Sequence, residues 1–211
     1  MDRPRTEVGS SAGAGARGVY EHDEDRVKAG SIGLLLLLIS LGMLFGGLVL
    51  VVAAARVEYE AWPDDLPSLP WQVWVSTAAL LATSVAFIKA VAASERRSDA
   101  GVRLALAAAG VMVLLFTGMQ AWAWIDWYEE MPTLEAASQQ HRIGIMSFWV
   151  FTGLHVAHVL GGMIPLGIVA WYAVFRTWTA SGHGFLRHTA VYWHFLDVVW
   201  IVLLVTMLVI L

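Results

Sequence analysis

The chain has 211 residues, of which 58% are hydrophobic and only 14% charged, with a formal net charge of −4 and no cysteine. This is a one-domain length, yet the charged fraction lies far below the roughly 25% usual in soluble proteins. A water-soluble core of this size cannot hide so much apolar surface, which excludes an ordinary cytosolic enzyme. The missing cysteines exclude disulfides, thiolate metal sites, cysteine-ligated iron–sulfur clusters, thioether-linked haem and cysteine nucleophiles. The acidic balance, with no long basic stripe, points away from nucleic acid as a partner.

In chain order, residues 1–28 form a polar tail. Ser10 to Gly18 is rich in Gly, Ala and Ser, and Glu21 to Asp25 is a run of acids and one histidine. Such composition has nothing to bury and stays flexible or lies at a membrane surface. The rest, 29–211, reads as one all-α transmembrane domain with five apolar spans, at about 29–55, 71–93, 102–125, 143–175 and 189–211. Each exceeds the ~20 helical residues needed to cross a ~30 Å hydrocarbon core. Barrel strands would alternate polar and apolar residues over about ten positions, which these runs do not. The first run is too long for a cleaved signal core, although Ala53-Ala54-Ala55 faintly resembles a cleavage site. The fourth is too short for two spans and is expected to tilt or protrude, with Pro165 bending it just after Gly161-Gly162.

An odd number of spans puts the termini on opposite sides. Eleven Lys/Arg lie in the tail, the second-to-third connection and the fourth-to-fifth connection, against only Arg56 and Arg142 on the other side. The positive-inside rule then predicts a cytoplasmic N-terminus and an outer C-terminus. The acids Glu58, Glu60, Asp64, Asp65, Asp126, Glu129, Glu130 and Glu135 fall on the outer side. So do Tyr59, Trp62, Trp71, Trp74, Trp122, Trp124, Trp127 and Tyr128, which read as interfacial aromatic anchors.

Polar residues at membrane depth need partners. His155 and His158 lie three apart on the fourth span, His194 and Asp197 share that spacing on the fifth, and Gln120 lies near the outer end of the third. Residues at this spacing share one helical face. Three readings stay open: a metal or b-haem site from His155, His158 and His194, since imidazole and carboxylate suit zinc or iron; a proton or ion path; or a hydrogen-bond network joining spans four and five, with Gly153, Gly161 and Gly162 allowing close packing. The network is the simplest. Ser40, Thr83 and Ser84 read as small polar residues bonding back to their own helices. Lys89 is expected to extend toward the cytoplasmic surface.

The sequence Tyr192-Trp193-His194-Phe195-Leu196-Asp197-Val198-Val199-Trp200 resembles the terminal-helix signature YWHFVDxVW of subunit III of the haem–copper oxidases, with Leu196 in place of the usual Val. Thr152-Gly153-Leu154-His155-Val156-Ala157-His158-Val159 is similar to that family's TGxHxxHV. Weaker likenesses occur at Thr83-Ser84-Val85, at Gln120 and at Ser40 to Phe45, all in family order. Leu41 stands where many members carry a carbodiimide-reactive carboxylate, and Ala123 and Arg187 replace two further acids. Five spans match the short bacterial form, which lacks two N-terminal helices that form a lipid-holding cleft in longer members.

The resemblance implies a non-catalytic subunit of a proton-pumping, aa3-like cytochrome c oxidase in a bacterial plasma membrane. In that role it would stabilise subunit I and support proton uptake. It implies no haem or copper in this chain, with both in partner subunits I and II, and it allows for bound phospholipid. The wider partners implied are membrane lipid, cytochrome c and a respiratory supercomplex. His155, His158, His194, Asp197 and Gln120 would then be helix-joining or lipid-contacting residues. The related accessory subunit of a nitric oxide reductase or quinol oxidase, and a free-standing b-haem or metal protein, are the alternatives.

Overall fold

The structure, a computed structural model, describes residues 12–59, 63, 66, 68–130, 138–175 and 180–210. Among these there is no strand. Five helices follow in order: α1 (Ala12–Glu58), α2 (Gln72–Glu95), α3 (Asp99–Glu130), α4 (Gln139–Phe175) and α5 (Ala180–Ile210). Each contains a stretch long and apolar enough to cross a membrane. The chain is a multi-pass membrane protein, and it leaves apolar side chains exposed on its helices, Leu104, Leu50 and Met43 among them.

The helices overrun the expected spans. α1 starts at Ala12, inside the segment expected to be flexible, and α5 starts at Ala180 instead of Thr189. Between residues 12 and 28 three Ala, two Arg, two Glu and one Lys favour helix, against three Gly. Adding residues to an existing helix needs no new nucleus. Residues 1–11, Glu60, Trp62, Asp64, Asp65, Glu135, Arg176 and Leu211 lie outside the described residues, as do the side chains of residues 12–28 and of Glu130.

The chain divides into two units, Met1–Leu37 and Leu38–Leu211. The first is helical from Ala12 onward. In the second, α2 packs along α3, α5 packs against both α2 and α4, and α3 against α4. Residues 38–58 contribute Leu41, Phe45 and Val52 to the buried set and leave most other side chains exposed. The core of this unit is aromatic. Trp193 stacks on Phe87 with ring centres 5.7 Å apart, Trp127 stacks on Phe148 at 4.1 Å, and Phe116 meets Trp200 edge-on at 5.4 Å. Trp127 is fully buried, so it is a packing residue and not the interfacial anchor its position near the span end suggests. Trp71, Trp74, Trp122 and Tyr128 are exposed.

The α2–α3 turn is built in detail. The Ser98 N–H donates to Ala93 C=O and the Arg97 N–H to Ser94 C=O, the paired bonds of a Schellman motif. Arg97 occupies the position that usually takes glycine, with φ 54°. Ser98 then caps α3, its Oγ accepting from the Gly101 N–H at 3.3 Å, which satisfies one of the free donors of the first turn. A Cβ at Gly101 would lie 3.0 Å from Ala93 Cβ and from Ser98 Oγ, so the two helices can approach this closely only at glycine.

α4 is one helix through Pro165, which removes the hydrogen bond to the Gly161 carbonyl without ending the helix. Of the three glycines around the histidine pair, only Gly162 is needed for close packing. A Cβ there would come within 2.8 Å of Tyr192 Cε1 and 3.2 Å of Trp193 Cζ2, whereas Gly153 and Gly161 have nothing within 4 Å.

Two outcomes are expected. Gly162→Leu overpacks the α4–α5 contact and lowers stability by about 1–3 kcal/mol, read as an earlier thermal midpoint in detergent, while Gly161→Leu leaves it unchanged. Arg97→Gly removes the left-handed strain and raises stability by about 1 kcal/mol; a fall in midpoint would contradict the turn geometry described.

Candidate functional site

The polar residues of the terminal signature reach from α5 to α2, α3 and α4. Asp197 is buried. Ser84 Oγ of α2 donates to Asp197 Oδ2 and lies 2.6 Å from His194 Nδ1. With its proton committed to the carboxylate, the hydroxyl has lone pairs left for the imidazole, which suits an Nδ1–H tautomer. Three residues separate His194 from Asp197, so one hydroxyl can serve both from the facing helix.

One turn further along, Trp200 is fully buried and its Nε1 donates to Thr77 Oγ1 at 2.8 Å, while Thr77 donates to its own Val73 carbonyl at 2.7 Å. Thr77 pairs with Trp200 and Ser84 with Asp197, so α2 and α5 run antiparallel. Trp200 also lies against the His155 ring, with centres 4.9 Å apart. Towards the other end of the signature, Tyr192 OH donates to the His158 carbonyl of α4 at 2.9 Å. Phe195 is half-buried, its ring tip 4.0 Å from where a Cβ would sit on Gly42 of α1.

The α4 motif works differently. Thr152 Oγ1 accepts from Trp124 Nε1 of α3 at 2.9 Å and donates to its own Phe148 carbonyl at 2.7 Å. Gly153 is partly buried beside it. His158 Nδ1 is 2.7 Å from the Leu154 carbonyl of its own helix, and its ring lies edge-on to Phe45 at 5.3 Å. His155 is fully enclosed by the rings of Phe45, Phe116 and Trp200. Neither of its nitrogens has a hydrogen-bond partner among the described residues, and the same holds for the amide of the buried Gln120.

His155 and His158 of α4 therefore share no hydrogen bond with His194 and Asp197 of α5. Asp197 and His194 turn to α2, His158 to its own backbone, and His155 to an aromatic pocket. The polar links join α2 to α5 above all, where the sequence suggests α4 to α5; across α4–α5 the contacts are ring packing and the tyrosine hydroxyl. Ser84 does not bond back to its own helix as expected, whereas Thr83 does, at 3.0 Å to Ala79 O. Among the described residues, no group of three or more His, Asp or Glu side chains stands close enough to hold a metal ion.

Sequence reading missed Thr77, and it missed a second link, in which Gln72 Nε2 donates to Asp126 Oδ2 while Trp122 Nε1 donates to Asp126 Oδ1 at 3.1 Å. The available signal was the buried indole, whose N–H usually finds a partner, set opposite a threonine at matching depth on an antiparallel helix.

The model of the family described as cytochrome c oxidase subunit III matches residues 17–210. The chain is 29% identical to cytochrome c oxidase subunit 3 of Thermostichus vulcanus over 190 residues, covering 87% of each protein. It is 27% identical to the probable cytochrome c oxidase subunit 3 of Nocardia farcinica over 187 residues, 88% of this chain and 90% of that one. Against cytochrome c oxidase subunit 3 of Branchiostoma lanceolatum it is 36% identical over 133 residues, 62% of this chain; that match spans 47%, about half, of the longer Branchiostoma protein.

A double-mutant cycle tests the α2–α5 clamp. Ser84→Ala alone is expected to cost about 1–3 kcal/mol by stranding the buried carboxylate. Combined with Asp197→Leu it should cost clearly less than the two single changes together, a coupling of about 0.5–3 kcal/mol. Strict additivity in detergent unfolding would contradict the bond.

Proposed function

Since the chain belongs to the cytochrome c oxidase subunit III family, and so associates with other subunits of a haem–copper oxidase, we propose that it acts there as a non-catalytic scaffold. Its partners in this reading are subunits I and II, which carry the haems and copper, with subunit I stabilised by the packed helices of this chain. Support for proton uptake at the cytoplasmic side belongs to the same reading, as does placement in a bacterial plasma membrane with the N-terminus cytoplasmic.

The observation that carries the proposal is the use made of the signature residues. His194, Asp197 and Trp200 are engaged by α2 hydroxyls, and His155 is walled in by rings. These side chains are employed in joining helices, and they do not converge on a space where a substrate or a metal could sit. Leu41, at the position where many relatives carry a carboxylate, is buried; proton support would then have to come from other groups.

The free-standing b-haem protein is not favoured, because the three histidines have separate neighbours. An accessory role in a nitric oxide reductase or quinol oxidase is not favoured by relatives that bear the cytochrome c oxidase name.

Purification through a tag on this chain, followed by dissociation, is the test. Haem and copper are expected to come down with the complex and to leave with its other subunits. Asp197→Leu should weaken retention of this chain in the complex while the haem spectrum of the remaining subunits stays normal. Recovery of this chain alone with a Soret band lost in His155→Ala would overturn the proposal.

A further inference from the structure

A groove lies between α2 and α3, apart from the α5 signature. Its volume is about 860 Å³, within the ~300–1,000 Å³ usual for ligand sites. The walls are small and apolar: Ala82 and Ala86 on α2, Ala105 and Ala108 on α3. Two cations, Lys89 and Arg96, line it, and no acid does. The nearest acid on α2, Glu95, lines a different groove, shared with Arg187 and His194 of α5.

The position of the charges is informative. Lys89 lies on α2 and Arg96 is the residue that caps its end, seven positions on, and both line the same groove. Both are exposed, and neither has an ion-pair or hydrogen-bonded side-chain partner among the described residues. The Schellman turn fixes the end of α2 beside them, and the close approach at Gly101 holds α3 against it.

The extent of the groove identifies its occupant. Along α2 and its cap it runs from Ala82 to Arg96, although the helix extends back to Gln72. On α3 it runs from Gly101 to Met112, although that helix extends to Glu130. It therefore covers the half of the hairpin nearest the basic turn, about 21 Å along α2 at ~1.5 Å per residue. A partner helix crossing the membrane would need a seam along the full ~30 Å of hydrocarbon. A lipid confined to one leaflet needs a polar end, an anion-binding end and an apolar trough reaching toward the midplane, which is the arrangement present.

We propose that this groove holds one anionic phospholipid, its phosphate between Lys89 and Arg96 and an acyl chain along the alanine walls. Lys89 extends its ammonium toward the headgroup while its methylene stem covers apolar surface, and Arg96 offers its planar donors to the phosphate oxygens. The trough admits a flexible chain because alanine side chains leave the helix surfaces low.

The membrane complex that carries this chain, delipidated in mild detergent, is titrated with phosphatidylglycerol or with phosphatidylcholine, and bound lipid is counted by native mass spectrometry. Phosphatidylglycerol is expected to bind the wild type, with retention lowered about tenfold or more in Lys89→Gln/Arg96→Gln, each cation near a membrane surface contributing to anionic-lipid attraction. Phosphatidylcholine should bind weakly and equally to both. Ala108→Trp, which fills the trough and keeps both cations, should also lose the lipid, while Lys89→Arg/Arg96→Lys should keep it and shows that the variants fold. Inorganic phosphate at the same concentration should not displace it.

Equal phosphatidylglycerol retention in the charge-removed variant would overturn the proposal. So would efficient cross-linking of Leu104→Cys, at the rim of the groove, to another subunit, because the groove would then be a protein interface. The same spectra report subunit composition separately, so loss of the lipid site and loss of the oxidase assignment are read apart.

Discussion

In hydrocarbon a polar group that finds no partner within the protein has none to find in the solvent. The architecture of residues 38–211 follows from how α5 meets that constraint. Asp197 sits in the apolar middle of a helix, where a charged or strongly polar group costs a few kcal/mol on insertion scales. Ser84 and Thr77 on α2 supply the hydroxyls that accept this burden, the first for Asp197 and His194, the second for the Trp200 indole. Once those bonds fix the depth and rotation of α5 against α2, the remaining faces of the signature have only one place to go. Tyr192 reaches the His158 carbonyl, Trp193 covers Phe87, and Trp200 lies between His155 and Phe116.

Lipid tails are as apolar as leucine, so burial alone gives little reason for the helices to associate. Aromatic contact area and close approach supply that reason here. Gly162 lets the Tyr192 and Trp193 rings settle on α4, and Gly101 lets α3 fold back on α2 beside the Arg96–Ser98 turn. The α1 segment from Leu38 shows the opposite regime. It buries Leu41, Phe45 and Val52 and leaves most of its apolar side chains exposed.

The all-α fold class and its five long apolar helices were legible in the sequence because runs of more than twenty apolar residues have few alternative structures. Helix ends were less legible. Apolar length marks where lipid begins, while α1 and α5 continue through residues that are polar and still favour helix. The candidate site was legible as a set of residues, since His194, Asp197, His155 and Gln120 stand out against apolar neighbours. Their partners were not. The spacing of His194 and Asp197 shows that they share a face, and only packing shows that the face meets Ser84 and not the histidines of α4. Trp127 misleads for the same reason: an indole near a span end reads as an interfacial anchor until stacking on Phe148 places it in the core.

A supporting role in an oxidase and a rigid hub on α5 are two views of one claim, that the signature residues are spent on holding helices in register. The absence of cysteine allows that register to be measured directly by paired cysteine substitution in native membranes. Ser84→Cys with Asp197→Cys is expected to form a disulfide rapidly under mild oxidant. Ser84→Cys with Val198→Cys, whose side chain is exposed where that of Asp197 is buried, is expected to remain reduced. Equal cross-linking of the two pairs, or none at Ser84 and Asp197, would contradict the account.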